Sequence, residues 1–180
     1  RFFVDMGGAY GLFTRHPTRG VFHTTGFGAG FAWQAVDELD TFLRMNVMTS
    51  FADRYGDLIE GFTSFRLVGG VGYSGRWSWG RVFLHFGFEL QYLSDFVSAT
   101  DPDCKFFGTS SPWCSASDVQ RMELPILVGG NLSLGTNLYL GGPVFLSLQA
   151  GMSAYFYPFG KNPPLNFPFN AELGLGYAFF

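Results

Sequence analysis

Between Arg81 and Tyr92 the chain reads RVFLHFGFELQY, and every second residue is apolar: Val82, Leu84, Phe86, Phe88, Leu90 and Tyr92. The alternate set is Arg81, Phe83, His85, Gly87, Glu89 and Gln91, mostly polar or small. A helix would scatter the apolar side chains round its whole circumference, so a period of two means a strand with one greasy face and one polar face. The fold then depends on which face meets water.

The same alternation recurs along the chain. Phe2 to Phe13 sets Phe2, Val4, Met6, Tyr10 and Leu12 against Phe3, Asp5, Gly7, Ala9, Gly11 and Phe13. Thr14 to Gly20 reads as a loop, and Val21 to Gln34 as a second strand with Phe27, Ala29, Phe31 and Trp33 against Thr24, Gly26, Gly28, Gly30, Ala32 and Gln34. Ala35 to Asp40 reads as a short acidic turn. A third strand, Thr41 to Phe51, sets Leu43, Met45, Val47 and Phe51 against Arg44, Asn46, Met48 and Ser50. After the charged loop Ala52 to Gly61, a fourth strand runs from Phe62 to Ser74, and the turn Ser74 to Gly80 leads into the fifth, Arg81 to Tyr92.

Leu93 to Asp118 is the longest irregular piece, rich in Ser, Thr and Pro, and is expected to be a large exposed loop. A sixth strand is expected from Val119 to Leu134, with Arg121, Glu123, Leu127 and Asn131 on its polar side. It ends either in a tight turn at Gly135 to Asn137 or at Gly141 to Pro143. The seventh strand ends near Tyr157, and after the loop Pro158 to Asn166 a last strand puts Phe167, Phe169, Ala171, Leu173, Leu175, Tyr177 and Phe179 on one face. That makes eight strands in one domain, residues 1–180. Connections after strands two, four and six are short; those after one, three, five and seven are more polar.

Composition decides the orientation of the faces. The chain is 47% hydrophobic and 19% aromatic but only 14% charged, against about a quarter charged in ordinary soluble domains. No apolar run approaches the roughly 18 residues that a membrane-spanning helix needs. A soluble eight-stranded barrel, with its apolar face turned inward, would need a richly polar exterior. The second face offers instead Gly7, Gly26, Gly28, Gly30, Gly70, Gly72, Gly174 and Gly176 with scattered charges. Small residues suit a cramped interior, so the expectation is an all-β, eight-stranded antiparallel up-and-down transmembrane barrel whose apolar face meets lipid. A net charge of -3 without a basic stripe points away from nucleic acid.

The whole chain, with its eight alternating strands and aromatic last strand ending Tyr177, Ala178, Phe179, resembles the small bacterial outer-membrane barrels of the OmpA, OmpX and OmpW type. The ending is similar to the aromatic-x-Phe terminus that such barrels present to the barrel-assembly machinery, with Phe180 as an additional residue. The resemblance implies an outer-membrane location in a Gram-negative envelope, termini periplasmic and long loops outside. It also implies contact with outer-membrane lipid and lipopolysaccharide. An export signal is expected to have been removed ahead of Arg1. Such barrels serve as anchors, adhesins, pores and lipid-modifying enzymes, so fold alone leaves function open.

Several residues are candidates for function. Cys104 and Cys114 lie in the long loop with nine residues between them; in an oxidising compartment a disulfide there would stabilise by roughly 3 kcal/mol. Phe96, Phe106, Phe107 and Trp113 in the same loop either pack as a lid or contact a partner protein, another cell or lipopolysaccharide. Asp5, Arg44, Arg66, Arg81, His85, Glu89, Arg121, Glu123 and Glu172 share the inward parity and are expected to pair as a lumen charge network, since an unpaired buried charge is costly. Trp33, Trp77, Trp79, Tyr177 and Phe179 are expected at a membrane interface.

No metal or cofactor is expected. The two cysteines lack the further ligands a metal needs, and GFGAG, Gly26 to Gly30, lies inside a strand and opens no phosphate-binding helix. His23 is the one His with lipid-facing parity, beside Thr25, but no carboxylate of that parity completes a catalytic set. His85 and Glu89, four residues apart on one strand, stand roughly 13 Å apart. The expectation is a non-enzymatic anchor, recognition module or envelope-assembly subunit acting through its loops. A narrow pore for small hydrophobic molecules is the alternative, and a lipid A modifying enzyme the second.

Overall fold

The computed structural model describes residues 1–14, 21–51, 63–94, 97–99, 119–121, 126–156 and 169–179. They form β1 (Phe2–Thr14), β2 (Val21–Val36), β3 (Leu39–Phe51), β4 (Thr63–Trp77), β5 (Gly80–Ser94), β6 (Val97–Ala99), β7 (Val119–Arg121), β8 (Ile126–Gly141), β9 (Val144–Phe156) and β10 (Phe169–Phe179). Eight of them close a barrel in the order β1-β10-β9-β8-β5-β4-β3-β2. Every pairing is antiparallel, and closure is made by β1 on β10, from Phe2 opposite Phe179 to Leu12 opposite Phe169.

The alternation read from the sequence is the alternation of the wall. On β4, Phe65, Val71 and Tyr73 stand outward at 49, 59 and 53% exposure, while Ser64, Arg66 and Val68 are buried inside. Phe27, Met6 and Leu134 are outward in the same way, and Glu89, Gln91 and Arg81 are inward. The molecule is thus apolar outside and polar within, the reverse of a water-soluble domain, and suits a bilayer. Full pairing of the closed ladder also satisfies the backbone where hydrocarbon offers no hydrogen bonds.

Three tight turns lie at the end that holds both Arg1 and Phe179. They are Asp37 and Glu38, Ser78 and Trp79, and Gly142 and Pro143. Of the two turn positions the sequence left open after the sixth barrel strand, the second is formed: the strand runs past Gly135 to Asn137 on to Gly141, because Gly141 and Gly142 supply the positive φ values, 145° and 58°, that the reversal requires. The acidic turn is shorter than expected: β3 already begins at Leu39, which puts Asp40 inside the wall.

At the opposite end β6 and β7 form a two-stranded ribbon. Its register continues that of β5 on β8: Tyr92 faces Ile126, and Val97 faces Arg121 five residues further along each strand. Part of the expected loop 93–118 is therefore strand; residues 122–125 of the expected strand from Val119 lie outside the described residues. Cys104, Cys114, Phe96, Phe106, Phe107, Trp113 and Glu123 lie outside the described residues.

Candidate functional site

Within the barrel, inward side chains from seven strands meet in two groups. In the first, Arg44 on β3 donates from Nη2 to both carboxylate oxygens of Asp5 on β1, at 2.7 and 2.9 Å, and from Nη1 to Glu172 on β10. Arg66 on β4 lies 3.6 Å from Glu172 and makes a forked pair with Glu89 on β5 at 2.8 and 3.0 Å. Glu89 also accepts from Ser153 and from the Tyr155 hydroxyl on β9, each at 2.5 Å. A continuous polar bridge, Asp5, Arg44, Glu172, Arg66, Glu89, Tyr155, thus runs from wall to wall.

The second group lies towards the tight turns. Arg81 Nη2 donates to Asp40 at 2.5 Å, and Ser74 Oγ donates to the same carboxylate at 3.3 Å. Gln34 donates to Ser74 at 3.2 Å and accepts from Arg76. The Arg81 guanidinium also lies 4.1 Å from the centre of the Phe3 ring, a cation–π contact in a dry setting. His85 is 3.6 Å from Asp40 and stacks between Phe42 and Phe83, 4.2 and 4.4 Å from their centres. Below them Phe3, Phe145 and Ala178 close the end as a small apolar cluster.

Glycines make room for this filling. A Cβ on Gly30 would run into the Arg44 guanidinium and lie 2.9 Å from Asp5 Oδ2; one on Gly28 would run into Asn46 and lie 3.1 Å from Glu172. The GFGAG run that resembles a nucleotide loop in letters is here the clearance for an ion network. Asp5, Glu89 and Glu172 pair with Arg44 and Arg66, Asp40 pairs with Arg81, and Arg76 adds a fourth arginine on Gln34, so the two signs are equal in number. Balance is what makes burial tolerable at low dielectric.

Of the expected network, Asp5, Arg44, Arg66, Arg81, His85, Glu89 and Glu172 come together in the lumen. His85 and Glu89 fall in different groups, as their separation along β5 requires. Arg121 belongs to the β6–β7 ribbon, where it pairs with Val97. Sequence reasoning missed Asp40, Gln34, Ser74, Arg76 and Tyr155 as partners. The signal for Asp40 was present, since it shares parity with Arg44.

The aromatic girdle stands at the tight-turn end. Trp33, Trp79, Tyr177 and Phe179 are 44, 60, 45 and 51% exposed on the outer face, with Phe2 stacked on Trp33 at 6.3 Å and Tyr177 against Phe179 at 4.8 Å. Trp77 is only half exposed, edge-on to Trp79 at 5.4 Å. Nearer the opposite end of β1 and β2, the Tyr10 hydroxyl lies 2.5 Å from His23 Nδ1 on the outer face. One proton is shared between the phenol oxygen and that ring nitrogen. Thr25 stands two residues further along the same face.

No family model matches the chain, and no curated protein does. Solved structures share its fold. Neisserial surface protein A superposes with a TM-score of 0.64 at 12% identity over 99% of this chain and 97% of its own. Ail, the attachment invasion locus protein of Yersinia pestis, gives 0.59 at 11% over 99% and 97%. The outer-membrane enzyme PagL gives 0.52 at 12% over 97% and 99%. The chain has the fold of the small outer-membrane barrels.

Proposed function

We propose that this chain is a non-enzymatic barrel of a Gram-negative outer membrane, termini periplasmic, that anchors and displays its long loops at the cell surface for recognition or assembly. The observation that carries this reading is the ion-paired bridge from Asp5 through Arg44, Glu172 and Arg66 to Glu89, which crosses the lumen where a pore would have to pass. A plugged lumen leaves the rim and the outer wall as the surfaces available for work. The partner is a protein, or the lipopolysaccharide of the surrounding leaflet, met through residues 93–118. The attachment protein Ail and the enzyme PagL both share the fold, so the fold does not choose between them.

A narrow pore for small hydrophobic molecules requires this bridge to part. A lipid A modifying enzyme requires a nucleophile and an oriented base. Thr25 and His23 share the outer face, but His23 is oriented by a phenol, and among the described residues no carboxylate stands outward beside it. Crosslinking in intact cells from residues of the 93–118 segment tests the reading. A specific surface partner, lost when residues 100–118 are deleted from a still-folded barrel, supports it. Unchanged surface binding after the deletion overturns it.

A further inference from the structure

The lumen holds equal numbers of the two signs, but it does not hold them in one place. In the middle, Asp5, Glu89 and Glu172 share Arg44 and Arg66, whereas towards the tight turns Arg76 and Arg81 have only the carboxylate of Asp40 between them. The turn end therefore carries one guanidinium in excess. Arg76 is the group without a counter-ion: among the described residues no carboxylate stands in salt-bridge reach of it, and its hydrogen-bond acceptor is the neutral Oε1 of Gln34.

Register sharpens the conflict. Arg76 on β4 stands directly opposite Arg81 on β5, and both reach over the same Phe3 ring, with Cζ 5.7 and 4.1 Å from its centre. Like charges so opposed repel. Among the described residues, Arg76 Nε, Arg81 Nε and Arg81 Nη1 are buried with no hydrogen-bond partner. Stranded N–H groups on buried cations call for an acceptor, and a charged one is worth most.

Gln34 marks the place. Its Nε2 donates to the backbone oxygen of Asp37 at 2.5 Å and to Ser74 Oγ at 3.2 Å, which fixes the amide with its carbonyl oxygen towards Arg76. A carbonyl dipole thus sits where a carboxylate would complete the two guanidinium groups. Arg76 is only half-buried, so a ligand arriving at the turn end meets it first.

We propose that the turn-end mouth binds one carboxylate group, which displaces Gln34 Oε1 from Arg76 and bridges Arg76 and Arg81. The excess is a single positive charge, which one carboxylate cancels, and its two oxygens match the planar fork of a guanidinium. The turn end of a spanning barrel meets water whichever way the barrel is inserted, so the site stands apart from the loop orientation and from loop recognition. The carboxylate belongs to a small free acid or to a peptide end, and two probes separate these sources.

The test uses the full chain refolded in a neutral detergent at neutral pH, with urea unfolding followed as sodium acetate replaces sodium chloride at constant ionic strength. Wild type gains a saturable stabilisation, about tenfold in the folding equilibrium at roughly ten times the dissociation constant. Arg76→Gln, which removes the excess charge, lacks it. Gln34→Glu builds the carboxylate into the chain: it unfolds at higher urea than wild type in chloride and no longer responds to acetate. The Nε resonances of Arg76 and Arg81 shift by NMR on adding acetate and not on adding chloride. N-acetyl-trialanine with a free C-terminus acting as acetate does assigns the site to peptide ends, and a response to acetate alone assigns it to free acids. Equal midpoints in the two salts, an acetate response that survives Arg76→Gln, or a Gln34→Glu variant less stable than wild type overturns the proposal.

Discussion

Arg81 Nη2 donates a 2.5 Å hydrogen bond to Asp40 Oδ2 across 41 residues of sequence, and both side chains are almost wholly buried. The two come from β5 and β3, with β4 between them, so the bond ties together strands that do not pair. Removing one partner would leave the other charge stranded in a low dielectric. Asp40→Ala is therefore expected to destabilise the barrel by about 3–5 kcal/mol, measured by urea unfolding in detergent or liposomes. The double variant Asp40→Leu with Arg81→Leu should recover most of that loss, because an apolar pair carries no desolvation penalty. A double variant as unstable as the single one would mean that the pair acts through packing instead.

Glycine clearance separates positions that look alike in sequence. Gly30→Val pushes against the Arg44 head group and Asp5, and is expected to cost about 1–3 kcal/mol as an overpacked core. Gly130 has open space where its Cβ would be, so Gly130→Ala should leave the unfolding midpoint unchanged. Equal effects at the two positions would contradict the assignment of their faces.

The filled lumen predicts electrical silence. Purified barrel in planar bilayers should show no discrete openings, since Arg44, Arg66, Glu89 and Glu172 bridge opposite walls. Removing the two arginines together, Arg44→Ala with Arg66→Ala, leaves three carboxylates facing one another and should admit cation-selective conductance if the variant folds. Discrete openings in the wild type would restore the pore reading.

Parity made most of the wall legible in the sequence, because a period of two forces every strand residue to one face or the other. Phe65, Val71 and Phe86 could be set outward, and Arg44, Arg66 and Glu89 inward, without knowing which strands pair. What parity cannot give is the partner of an inward charge, since that depends on register round the closed ring. Asp40 escaped for a second reason. It ends the run Asp37, Glu38, Leu39, Asp40, which looks like a solvated turn until the two-residue reversal at Asp37 and Glu38 is seen.

The proposed periplasmic termini put the tight turns on the periplasmic side. With Cys104 and Cys114 replaced by Ser, Asp37→Cys should resist a membrane-impermeant maleimide in intact cells and react after the outer membrane is opened, because Asp37 is almost fully exposed at the turn end beside Arg1. Labelling in intact cells would invert the barrel.

The account stands or falls on hydrocarbon meeting the apolar face. In the same cysteine-free background, spin labels placed singly at Val82, Leu84, Phe86, Phe88, Leu90 and Tyr92 in reconstituted bilayers report collision with oxygen and with a water-soluble nickel complex. Every position should be open to oxygen, and those at the centre of the run, Phe86 and Phe88, should be shielded from nickel. Ready nickel access at Phe86 and Phe88 would place that face in water and contradict the assignment.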